Sequence, residues 1–157
     1  MPARRLVAVL AAAAAAALAL GSGIAPGQPA GSKKVLFAVM TGAKEVGTNG
    51  KKGAGDPDGR GAFSAVVRGN RLCYGLSATG IDTPVAAHIH RGGANVAGPV
   101  IIPLKQPTNG TVGASGACTT TDASLLRAIL ANPSRYYVNI HTQKFPGGAL
   151  RSQVKAG

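Results

Sequence analysis

From Ala62 onward the chain is cut into short runs in which apolar and polar residues alternate, and glycine, proline or asparagine closes most of them. A two-residue period puts alternate side chains on opposite faces of an extended strand, which commits such a chain to a sheet. Ala62 to Val67 and Arg71 to Ala78 are two such runs, joined by Arg68-Gly69-Asn70. That join reads as a tight hairpin in which Gly69 and Asn70 supply the positive φ angles. Val85 to Arg91 sets Ala87 and Ile89 on one side and Ala86, His88 and His90 on the other. Val100 to Leu104 and Thr111 to Ser115 are shorter candidates. Tyr136 to His141 sets Tyr136, Val138 and Ile140 inward, and Ala149 to Val154 completes the sheet. Upstream, Val35 to Met40 is a strand that is apolar on both faces. Between it and Ala62 lies a glycine-rich stretch carrying the turn signal Asp56-Pro57-Asp58-Gly59, expected to be the most mobile part of the mature chain.

One segment breaks the period. Between Thr121 and Asn132, Leu125, Leu126, Ile129 and Leu130 form a helical stripe, Thr121 or Asp122 can cap it, and Pro133 stops it. The expected fold is therefore all-β: an antiparallel β-sandwich or flattened Greek-key barrel of about 7–8 strands, with one short helix over about 122–131.

The N-terminal residues follow a different logic. Arg4 and Arg5 precede an uncharged run from Leu6 to Leu20, followed by small and turn-forming residues to Gly31. This is the order of a secretory signal. The run of 15 residues falls short of the roughly 20 that a membrane-spanning helix needs. Residues 1–31 are thus expected to be a signal peptide and cleavage region, cut between about Gly23 and Ser32, and 32–157 a single domain without a transmembrane anchor. Secretion or release into the periplasm follows. Arg4 and Arg5 also raise twin-arginine export, which the residues after them fit poorly. In an oxidising compartment the two cysteines, Cys73 and Cys118, are expected to form a disulfide; two buried free thiols are the alternative if the signal is misread.

The chain carries a formal charge of +12, and loss of Arg4 and Arg5 leaves 15 basic residues against 5 acidic ones, or +10. Such a surface favours anionic extracellular or cell-wall polymers as partners, although scattered basic residues also serve solubility. The domain is otherwise expected to be monomeric. No nucleophile-and-base arrangement is visible, and the five acids are dispersed, so hydrolysis by paired carboxylates has little support. The histidines are the chemical feature. His88 and His90 form an H-x-H pair, which on a strand sets two imidazoles on one face about 6–7 Å apart, close enough to share a metal ion. His141 ends another strand; brought to the pair it would complete a three-nitrogen site for copper, with zinc as the alternative. Histidines on the polar face of a sheet, hydrogen-bonded to a loop, are the plainer reading of the same residues.

Several blocks resemble a known family. Thr41-Gly42-Ala43-Lys44-Glu45-Val46 follows the opening strand; Ala86-Ala87-His88-Ile89-His90-Arg91-Gly92 is followed by Gly98-Pro99-Val100; and Tyr137-Val138-Asn139-Ile140-His141-Thr142 is followed by Pro146-Gly147-Gly148-Ala149-Leu150-Arg151-Ser152-Gln153. In this order they are similar to the CHRD (chordin-type) domain, with Gly47, Ala149 and Ser152 standing where the family usually has Pro, Glu and Gly. The resemblance implies an exported β-domain acting as a binding or structural module. The same elements resemble, more weakly, copper/zinc superoxide dismutases. That likeness implies His88, His90 and His141 as copper ligands, Asn139 and Arg151 beside them, and Arg151 as a guide for a small anion. A copper redox enzyme is thus the alternative function, against which stand the missing bridging histidine and zinc loop.

Overall fold

The computed structural model describes residues 35–157, so the expected signal segment lies outside the described residues. Nine strands follow in chain order: β1 (Val35–Thr41), β2 (Arg60–Arg68), β3 (Arg71–Thr79), β4 (Pro84–Arg91), β5 (Val100–Leu104), β6 (Val112–Thr120), β7 (Tyr136–Thr142), β8 (Leu150–Gln153) and the two-residue β9 (Lys155–Ala156). All pairings are antiparallel, in the order β5-β4-β7-β8-β1-β2-β3-β6, with β9 added to β1. The sheet rolls into a nearly closed barrel. Its two edges come within reach of each other just after β5: Lys105 N–H donates to the Tyr74 hydroxyl of β3 at 2.7 Å, and the Ser115 hydroxyl of β6 donates to the Lys105 carbonyl at 2.7 Å.

The alternation forecasts the core. Leu36, Ala38 and Met40 of β1, Phe63, Ala65 and Val67 of β2, Leu72, Tyr74 and Leu76 of β3, and Ile89, Val138, Ile140 and Leu150 all face inward and are buried. The helix α1 (Ala123–Ala131) adds Leu126 and Ile129, and Asp122 caps it by accepting a hydrogen bond from the Ser124 N–H at 2.7 Å. A helical stripe and a good N-cap hold a short helix here because its apolar face has the barrel to pack on. Cys73 and Cys118 lie opposite each other on β3 and β6, on the outer surface, and are disulfide-bonded. They tie the edge strand β6 to its only neighbour.

Four details differ from expectation. The β2–β3 hairpin places a positive φ only at Gly69; Asn70 does not adopt one, so the two-residue turn needs its freedom at the first central position alone. Strand β6 extends to Thr120 because it pairs with β3 along its whole length. The stretch after β1 folds back on itself rather than standing free: the Ala54 N–H donates to the Glu45 carbonyl, Gly55 to that of Gly42 and Asp56 to that of Ala149, and Gly55 and Asp56 are buried. Finally, β7 is buried on both faces, because the 92–99 loop and the segment after β1 cover the side opposite the core.

Candidate metal centre

The register of β4 against β7 joins what the sequence leaves apart. Ala86 lies opposite His141, His88 opposite Asn139 and His90 opposite Tyr137. Residues directly opposite share a face, so both histidines of the pair, His141, Asn139 and Tyr137 project to the same, outer side. The next strand adds Arg151 opposite Asn139 and Gln153 opposite Tyr137. His141 therefore sits diagonally beside His88. One nitrogen from each of His88, His90 and His141 can be chosen so that all three lie within 4.8 Å of one another.

Backbone carbonyls set two of the rings. His90 Nδ1 lies 2.9 Å from the Gly98 carbonyl, and His141 Nδ1 lies 2.9 Å from that of Pro146. A carbonyl only accepts, so both rings carry their proton on Nδ1 and leave Nε2 with a free lone pair. His90 Nε2 is buried and has no hydrogen-bond partner. His141 Nε2 faces His88 Nδ1 at 3.1 Å and Asn139 Oδ1 at 3.1 Å. No neutral tautomer of His141 satisfies both the Pro146 and the Asn139 oxygens, because each would need a proton on a different nitrogen. The rings keep their charge low. Burial pulls the pKa of His88 down to about 4, helped by repulsion from His141 and His90. Burial likewise lowers His90 against the pull of the Gly98 carbonyl, and His141 against that of Pro146. At neutral pH the three imidazoles are bases with their lone pairs available.

Around them lies a buried polar layer. The His90 ring stacks on Tyr137, with centroids 4.7 Å apart and planes 9° apart, and the Arg151 guanidinium carbon lies 3.4 Å from the centre of the same tyrosine ring. The Tyr137 hydroxyl accepts from the Gly98 N–H at 3.0 Å, which holds the loop whose carbonyl orients His90. Arg151 is 1% exposed; its Nη2 donates to the carbonyls of Gly93 at 2.8 Å and Val96 at 2.9 Å. Its Nη1 lies 3.7 Å from Glu45 Oε1, and Glu45 is itself 2% exposed. Burial pushes the Glu45 carboxyl above its ordinary range, while the Val46 N–H and Arg151 pull it back. Arg151 is thus a tie for the loop beneath which it lies.

Of the residues singled out in the sequence, His88, His90, His141, Asn139 and Arg151 come together, while the Cys73–Cys118 disulfide is elsewhere, on β3 and β6. Tyr137, Glu45 and the carbonyls of Gly98 and Pro146 were not foreseen as parts of the site. The signal for the two carbonyls was present in the blocks Gly98-Pro99 and Pro146-Gly147-Gly148, the second of them a turn closed by the Gly148 N–H on the Phe145 carbonyl. Gly148 has φ 137°, and a Cβ there would strike Glu45 Oε2.

The CHRD domain model matches residues 36–154, about three quarters of the chain. The chain belongs to the CHRD domain family. No curated protein and no solved structure matches it significantly. The matched span of this CHRD domain runs from β1 to the end of β8 and so contains the barrel, the disulfide and every residue of the histidine cluster. Where the family usually has Glu, Ala149 is fully buried, its N–H donating to the Ile140 carbonyl at 2.7 Å, so this domain places no carboxylate there.

Proposed function

We propose that this CHRD domain is an exported binding module, released from a signal peptide over about residues 1–31, that holds one metal ion, copper in first place, through His88, His90 and His141. The observation that carries the reading is His90 Nε2. A buried acceptor without a partner is costly, and here it belongs to a ring fixed by the Gly98 carbonyl, with a nitrogen of His88 and one of His141 close by. The tautomer conflict at His141 supports the same conclusion: with its proton on Nδ1, its Nε2 lone pair faces the Asn139 Oδ1 acceptor, a contact that a nearby cation would relieve, and burial disfavours a proton there. Three imidazole nitrogens suit copper or zinc. The carbonyls of Gly98 and Pro146 would act on the far side of two rings, fixing tautomer and orientation as outer partners of metal-bound histidines do.

The burial of Arg151 favours this reading over a superoxide dismutase-like enzyme. An anion guide needs an exposed positive group beside an open metal position, and this guanidinium is spent on loop carbonyls and Glu45. Calorimetric titration of the purified domain with Cu(II) and Zn(II), beside a His88→Ala/His90→Ala variant, tests the proposal. Saturable 1:1 binding that the variant loses supports it. Equal heats from both proteins, or none from either, would remove the metal and leave the three rings as a structural cluster.

A further inference from the structure

A second feature lies between the turn after β1, the 92–99 loop and strands β8 and β9, and none of the three histidines lines it. It is a cleft of about 540 Å³ bordered by Lys44, Lys52, Lys155, Arg151 and Gln153, with no acidic side chain among its lining residues. Lys44 is held in place: its ammonium donates to the Val39 carbonyl at 2.6 Å and to the Ser152 hydroxyl at 3.3 Å. Like charges gathered at one concave surface repel one another and focus a positive potential, and a bound anion reverses that cost.

The lining also restricts what kind of anion fits. Its only apolar contributors are Ala43 and Ala94. Nucleic-acid bases rely on aromatic platforms for stacking, and none is present in the cleft. Lysine ammoniums bind phosphate oxygens as compact point charges, without needing the planar fork that arginine offers. We propose that this cleft binds the phosphodiester groups of a polymer that carries no aromatic base, such as a phosphodiester-linked polyol chain. The proposal does not depend on the metal site.

The purified chain would be titrated with a short poly(glycerol phosphate), and with a single-stranded oligonucleotide of equal charge, over a series of NaCl concentrations. Engagement of three lysines predicts that log K falls against log[salt] with a slope of about −2, taking about 0.7 per contact as for a single strand. K44Q/K52Q/K155Q is expected to weaken binding at least tenfold and flatten the slope. R68Q/R71Q/K105Q removes the same charge from other parts of the surface and is expected to bind as the parent does. Thermal melts and Cu(II) titration of both triple variants separate loss of the cleft from loss of the fold or of the histidine site, and K52Q/K155Q, which spares the Lys44 hydrogen bonds, is expected to show an intermediate slope. Equal weakening in the two triple variants would reduce the effect to diffuse charge and overturn the proposal. Tighter binding of the oligonucleotide than of the poly(glycerol phosphate) would overturn the assignment of a base-free polymer.

Discussion

Replacing Arg151 with methionine keeps an unbranched chain of similar reach but removes the charge that Glu45 faces. Two hydrogen bonds from a charged donor, to the Gly93 and Val96 carbonyls, are lost, and a carboxylate that is 2% exposed loses the cation beside it. At about 1.5 kcal/mol for each hydrogen bond, plus about 1–2 kcal/mol for the stranded carboxylate, R151M should cost about 4–5 kcal/mol. That is a large share of the roughly 5–15 kcal/mol by which small domains are stable. Urea unfolding of the parent, R151M, E45Q and E45Q/R151M at pH 7 measures it as a double-mutant cycle. The double variant should be less destabilised than the sum of the singles by more than about 1 kcal/mol, since each single leaves a buried partner unpaired. The pH dependence gives a second check. Glu45 in R151M has a folded pKa above its unfolded one, so the folded form holds the extra proton, and the deficit relative to the parent should shrink as pH drops from 7 toward 4.5. A cost below about 1 kcal/mol with additive singles would show that the buried pair and its loop contacts do not hold this layer together.

Three further outcomes follow from the same structure. Cys73→Ser/Cys118→Ser opens a loop of sequence separation 45 and should lower stability by up to about 4 kcal/mol in chemical denaturation, the loop-entropy value. Gly148→Ala must force a left-handed backbone and move Glu45 aside, so it should destabilise by more than about 1 kcal/mol and weaken metal binding, read by melting and calorimetry. The metal-free domain should lose stability as pH falls from 6.5 toward 4: the folded pKa values of His88, His90 and His141 lie below the unfolded value, so the unfolded chain takes up protons first, and urea midpoints across that window report it.

Strand positions were readable because each strand buries one face in the barrel, so the two-residue period survives in Leu36-Ala38-Met40 and in Leu72-Tyr74-Leu76. The helix was readable for the same reason, at its own period, through Leu126 and Ile129. The period also set His88 and His90 on one face. It could not bring His141 to them, because that meeting depends on pairing β4 with β7 in one register, across 53 residues of sequence between His88 and His141. The weaker likeness to copper/zinc superoxide dismutases supplied the missing link, by implying all three as ligands of one ion. The second buried face of β7 was hidden from pattern reading, since Tyr137 and Asn139 are polar enough to suggest solvent and become buried only when the 92–99 loop closes over them. Arg151 was named through the dismutase likeness alone, and its hydrogen bonds to the Gly93 and Val96 carbonyls depend on the fold of the 92–99 loop, which no strand pattern shows.

The proposed site holds one copper ion through three imidazole nitrogens of this CHRD domain. Electron paramagnetic resonance of the domain loaded with one equivalent of Cu(II) tests it most directly, because nitrogen hyperfine structure reports the nitrogens bound to the ion. A single species is expected, with a nitrogen pattern that changes in each of His88→Ala, His90→Ala and His141→Ala. A parent spectrum that matches that of a His88→Ala/His90→Ala/His141→Ala variant would place the copper elsewhere and overturn the three-histidine site.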